Sequence, residues 1–136
     1  MTDNPLLAPW TTTFGEPPFS QIRLEHFRPA FEAAIAEWRA EREAIKAAAP
    51  SFETTILGLE RAGQTLDRVE RAFYHLVGTA SSDAIEAIQR DIQPKLAREY
   101  ADMGLDDDLF ARVDAVHAER EGLAPEAKRL VERRWL

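Results

Sequence analysis

The sequence predicts an all-α protein: about five amphipathic helices in an irregular antiparallel bundle, preceded by an extended proline-rich arm. Three observations carry this. Beyond residue 29 the chain is rich in Ala, Glu, Arg and Leu, which fix little side-chain freedom in a helix. Apolar residues in that stretch recur at every third or fourth position. Five of the 8 prolines (Pro5, Pro9, Pro17, Pro18, Pro29) fall in the first 29 residues, where they oppose helix formation. Residues 1–22 therefore read as an arm and residues 23–136 as the helical body.

The arm carries Leu6, Leu7, Trp10, Phe14 and Phe19. Large apolar side chains on a segment without regular structure need a surface to cover them. The arm is expected to strap across its own helices rather than to serve as an extended peptide for a partner.

The first helix is expected to start close to Glu25–His26, because Pro29 is tolerated only near a first turn. It runs to about Ala47, with Phe27, Phe31, Ala34, Ile35, Trp38 and Ile45 on one face. After Ala48-Ala49-Pro50, Ser51 is the expected N-cap of a second helix, and Glu53 complements the helix dipole. That helix is read as continuous to about Val77. Its stripe is Ile56, Leu59, Gly63, Leu66, Val69, Phe73 and Val77, with close helix–helix approach at Gly63. Ser82 caps the third helix, Asp83 to about Met103, and Pro94 inside it predicts a kink or break near Asp91–Gln93. Gly104-Leu105-Asp106-Asp107-Asp108 is a further break, with an aspartate as N-cap and acids in the following turn. The fourth helix covers about Leu109 to Arg120. Gly122 closes it and Pro125 opens the fifth, with Leu130, Val131, Trp135 and Leu136 on its apolar side. No glycine, asparagine or proline stop signal follows, so the pattern reads as a chain cut short.

At 136 residues the chain is one domain or a piece of a larger one, with 45% hydrophobic and 30% charged residues, the balance of a folded protein. Its net charge of -7 is spread evenly, about -3 in residues 1–68 and -4 in residues 69–136. No basic stripe exists to neutralise phosphates, so nucleic acid is not an expected partner. The absence of cysteine excludes disulfides, thiolate metal sites and a cysteine nucleophile. No basic-then-apolar leader precedes the helices and no apolar run approaches a membrane span, so no membrane partner is expected and the cytoplasm is the expected location.

Candidate chemistry is sparse. A helical zinc site of the peptidase type needs two histidines four apart with a glutamate beside the first. The histidines are His26, His75 and His117, followed four residues on by Ala30, Thr79 and Glu121. His26 is expected in the first turn of the first helix and His75 on the polar edge of the second. His117 and Glu121 stand one turn apart, but two ligands do not hold a catalytic zinc, and they read as an exposed polar pair. The aspartates from Asp106 lack the glycine and glutamate that a calcium loop places at its sixth and twelfth positions; Ala111 and His117 stand there. Three of the four serines (Ser20, Ser51, Ser81, Ser82) fall at expected helix starts, where capping is the ordinary job. No nucleophile elbow or phosphate loop exists. Carboxylate pairs such as Glu37/Glu41 and Asp114/Glu119 lie on solvated faces. The expected set of catalytic, cofactor-binding and metal-ligating residues is empty.

Short runs along the whole chain resemble a known family. They are Asn4-Pro5-Leu6-Leu7, Phe14-Gly15, Pro17-Pro18-Phe19, Ile22, Glu25-His26-Phe27-Arg28-Pro29-Ala30-Phe31-Glu32, Phe52-Glu53 with Thr55-Ile56, Leu59-Glu60-Arg61, Leu66 through Val69, Pro94-Lys95-Leu96-Ala97 and Leu109-Phe110-Ala111-Arg112-Val113. Their order and spacing resemble the amino-terminal region of the thimet oligopeptidase (M3) family of metallopeptidases, nearest the bacterial peptidyl-dipeptidase and oligopeptidase A branch. Departures concern caps and loops: Thr54 where asparagine is usual, Thr13 where proline is, Met103-Gly104-Leu105, and Ala124 in place of an aspartate cap. The resemblance implies a helical clamshell enzyme that cleaves short peptides with a zinc-activated water, its amino-terminal helices walling a channel that excludes folded proteins. The family's His-Glu-x-x-His helix has no counterpart here. The chain is thus expected to be inactive alone and to need no cofactor itself. Zinc would be held by the remaining catalytic part, its expected partner, which would also meet the peptide substrates. Apolar surface left uncovered would let the isolated chain self-associate. The alternative is a self-sufficient helical interaction module.

Overall fold

A computed structural model describes residues 4–8, 19–80 and 82–136. Among them every regular element is helical: α1 (Phe27–Ala47), α2 (Gly58–Arg61), α3 (Gln64–Thr79), α4 (Asp83–Gly104), α5 (Asp107–Ala118) and α6 (Pro125–Trp135). Short 3-10 turns at Leu24–His26 and Arg120–Gly122 and a π-helical turn at Phe52–Leu57 complete the set. The protein is all-α, as the periodicity requires. Trp10, Phe14 and most of the arm's prolines lie outside the described residues.

The expected caps are in place. Ser51 Oγ accepts from the Thr54 N–H at 2.9 Å, Ser82 Oγ from Ile85 at 3.3 Å, and Asp106 Oδ1 from Leu109 at 3.1 Å. Pro125 occupies the first turn of α6. Three expectations need correction. The second helix is not continuous: Ala62 is extended and Gly63 is left-handed, at φ 81°. Gly63 does mark a close approach, since a Cβ there would lie 3.2 Å from Trp38 Cδ1, but at a break rather than on a helix face. Gly58 makes the other close approach, to Ile45 at 3.0 Å. Of the kink or break expected at Pro94, the break is absent: α4 runs unbroken from Asp83 to Gly104. Both Pro94 and Arg90, one turn back, are exposed, so water can reach the carbonyl that loses its partner.

The chain forms two compact units, residues 1–38 with 63–99, and residues 39–62 with 100–136. The first unit buries one face each of α1, α3 and α4. Phe73 meets Phe27 and Phe31 edge-on, at centroid distances of 5.1 and 5.5 Å. Arg28–Asp91 and Lys95–Glu32 bridge α1 to α4 at 2.8 Å. Residues 5–7 turn back on themselves, with Leu7 N–H donating to Asn4 O at 3.0 Å. Leu6 is fully buried, and Asn4 Nδ2 donates to His26 O at 2.8 Å. The second unit packs Ile45, Ile56, Leu59, Leu109, Val113, Val116 and Val131 together, flanked by Phe52, Met103, Leu123 and Leu130.

Candidate functional site

Each histidine is already engaged in local structure. His26 Nδ1 accepts the Arg23 N–H at 2.9 Å, so that nitrogen closes the turn that starts α1. His75 stacks on Phe19, with centroids 4.7 Å apart. His117 is half-buried rather than exposed. Its ring lies nearly parallel on Trp135, 4.0 Å away and inclined by 8°. Its Nδ1 faces the Arg120 guanidinium at 3.3 Å, and because arginine only donates, Nδ1 accepts. The expected pairing with Glu121 is not made. Glu121 instead takes Lys128 at 2.8 Å, and that ammonium holds its carboxyl below the usual range.

The strongest charge cluster is structural. Lys46, near the end of α1, donates to Asp106 Oδ2 at 2.8 Å, and Glu43 joins it at 2.9 Å. Hydrogen bonding from Lys46 lowers the Asp106 carboxyl, against the opposing effect of burial. The same bond to Asp106, then that to Glu43, raises Lys46. Arg112 binds both Asp108 and the Lys46 carbonyl, satisfying an end carbonyl of α1. Sequence reasoning found the cap at Asp106 but not its ion pair. The partners are 60 positions apart, and no local spacing links them.

A cleft of about 310 Å³ opens in the second unit, lined by Pro50, Ser51, Phe52, Ala115, Val116, Glu119 and Leu123. The Ser51 hydroxyl is spent on Thr54, at its N–H and its Oγ1. No histidine lines the cleft to serve as its base. The cleft therefore offers shape and one carboxylate, not a nucleophile with an acid–base partner.

Comparison with known proteins finds homologues. The chain is 39% identical over 135 residues to dipeptidyl carboxypeptidase of Escherichia coli (strain K12), a match that takes in 96% of this chain. It is 38% identical over 136 residues to dipeptidyl carboxypeptidase of Salmonella typhimurium, and 33% over 109 residues to that organism's oligopeptidase A. The chain is homologous to the amino-terminal region of thimet oligopeptidase family metallopeptidases. No family model matches it. The chain spans about a fifth of the length of the dipeptidyl carboxypeptidases, 20% in each case, and 15% of oligopeptidase A.

Zinc is the metal this family implies. Among the described residues no three His, Asp or Glu side chains converge to hold an ion. The donor set does not fit zinc: His26 Nδ1 and His117 Nδ1 are committed to neighbouring N–H groups. Nor is any described helix long and apolar enough to cross a membrane.

Proposed function

We propose that this chain is the non-catalytic amino-terminal helical portion of a zinc-dependent oligopeptidase or peptidyl-dipeptidase acting on short peptides in the cytoplasm. Residues 1–22 are the arm, whose described Asn4 and Leu6 pack against the helices. Residues 23–136 form part of a larger helical clamshell and of the wall around its substrate channel. The chain shapes and restricts that space, while zinc and the reacting peptide bond belong to the remaining catalytic part. One observation carries the reading: 39% identity runs along 96% of this chain yet touches only 20% of dipeptidyl carboxypeptidase. A self-sufficient interaction module is the second reading, supported by the seven-residue core of the second unit, closed by the chain's own side chains.

A chimera separates them. The matching segment of the Escherichia coli enzyme is replaced by this chain, and hydrolysis of a short peptide and of an unfolded protein is measured. The expected chimera cleaves the peptide and spares the protein, while deletion of the segment abolishes activity or relaxes that size limit. A deletion variant with unchanged turnover and unchanged size limit overturns the proposal.

A further inference from the structure

The second unit presents an aromatic ledge that its own core does not use. Phe110, Asp114 and His117 follow one another at spacings of four and three along α5, which places them on one face. Trp135 of α6 completes the ledge. Its ring stacks on His117, and its Nε1–H donates to Asp114 Oδ1 at 3.0 Å. Phe110 nevertheless stays 57% exposed and Trp135 39%, while Leu109, Val113 and Val116 of the same helix are buried. A surface tryptophan held by both a stack and a hydrogen bond has already lost its rotamer freedom. Rigid aromatic surface of this kind is what strong interface anchors offer, because little ordering cost is left at binding.

We propose that this ledge is the surface on which the catalytic remainder of the peptidase polypeptide docks, with the pre-ordered Trp135 ring as its anchor and the exposed Phe110 ring beside it. The inference rests on the reading of the chain as an amino-terminal peptidase portion. The occupant follows from length and charge. The matched dipeptidyl carboxypeptidases have some four-fifths of their length outside the segment this chain matches. A second copy is disfavoured, since each copy carries a net charge of -7 and Asp107 and Asp114 flank Phe110 one turn away on either side. Two such faces in symmetric contact bring like charges together. The docking partner is accordingly an apolar pocket with basic residues at its rim.

Hydroxyl-radical footprinting reads the ledge directly, on the isolated chain and on the chimera described above. Oxidation of Phe110 and Trp135 is expected to fall several-fold in the chimera. Phe110→Asp should restore Trp135 oxidation in the chimera while leaving the melting temperature of the isolated chain unchanged. Equal reactivity in both proteins overturns the proposal. So does protection that appears in the isolated chain as its concentration rises, together with a dimer mass by light scattering, which assigns the ledge to a second copy. Peptidase activity is scored separately. An inactive chimera with a protected ledge upholds the surface and counts against the channel-wall role; an active chimera with a reactive ledge does the reverse.

Discussion

Asp106 does two jobs with one carboxylate. Oδ1 caps α5 through Leu109, and Oδ2 takes the Lys46 ammonium. The two jobs separate by substitution. Asp106→Ala loses the cap and should cost about 1 kcal/mol from that loss at neutral pH. Asp106→Asn keeps a capping oxygen and loses the charge. Because folding lowers the carboxyl below its ordinary 3.8, the ion pair contributes above that value and is lost as pH falls through the lower folded value. Lys46 is raised above 10.5, so its share is present below that value and fades as pH rises through the higher folded one. Urea titrations from pH 7 downward should show Asp106→Asn less stable than the natural chain at neutrality, with the gap closing below pH 3.8. A gap that persists unchanged in acid would show that the ion pair contributes nothing.

At the scale of elements, the decisive feature is the break between α2 and α3. Gly63 is left-handed, and Trp38 fills the space a side chain would need. Left-handed backbone costs a residue with a Cβ about 1–2 kcal/mol, and the indole contact adds to this. Gly63→Ala should therefore destabilise the chain by at least about 1 kcal/mol in thermal melts. Gly78→Ala is the contrast: it lies within α3 with nothing near its missing Cβ, and it should stabilise by about 0.5–1 kcal/mol. Similar responses at the two sites would remove the backbone explanation. The pattern puts Gly63 inside a continuous helix and Gly78 just past that helix's end at about Val77; the structure reverses both, because pattern alone does not tell a breaker from a tolerated residue.

At the scale of the whole molecule, the chemistry is as informative as the fold. The described histidines serve a turn, a ring stack and an arginine contact, and the serine in the cleft caps a helix. Purified chain supplied with zinc is expected to release no dipeptide from a blocked short peptide. Turnover that a chelator abolishes, and that follows the chain through purification, would contradict this. The fold class, the capping serines and aspartate, and the family were legible because each rests on local chemistry or on runs of adjacent residues. Ser51, Ser82, Asp106 and Pro125 announce helix starts through their own side chains. The ledge was not legible. His117 read as a polar neighbour of Glu121, and only the return of α6 brings the Trp135 ring onto it.

The sequence by itself determined an all-helical chain, the capped starts of its helices and its kinship with the amino-terminal part of a peptidase. Only the tertiary structure decided that Gly63 stands at a break between two helices, that Lys46 meets Asp106, and that Phe110 and Trp135 stand at the surface. The reason is physical. Propensity and capping act within about a turn of a residue, whereas ion pairs, ring stacks and exposure depend on side chains that only packing brings together.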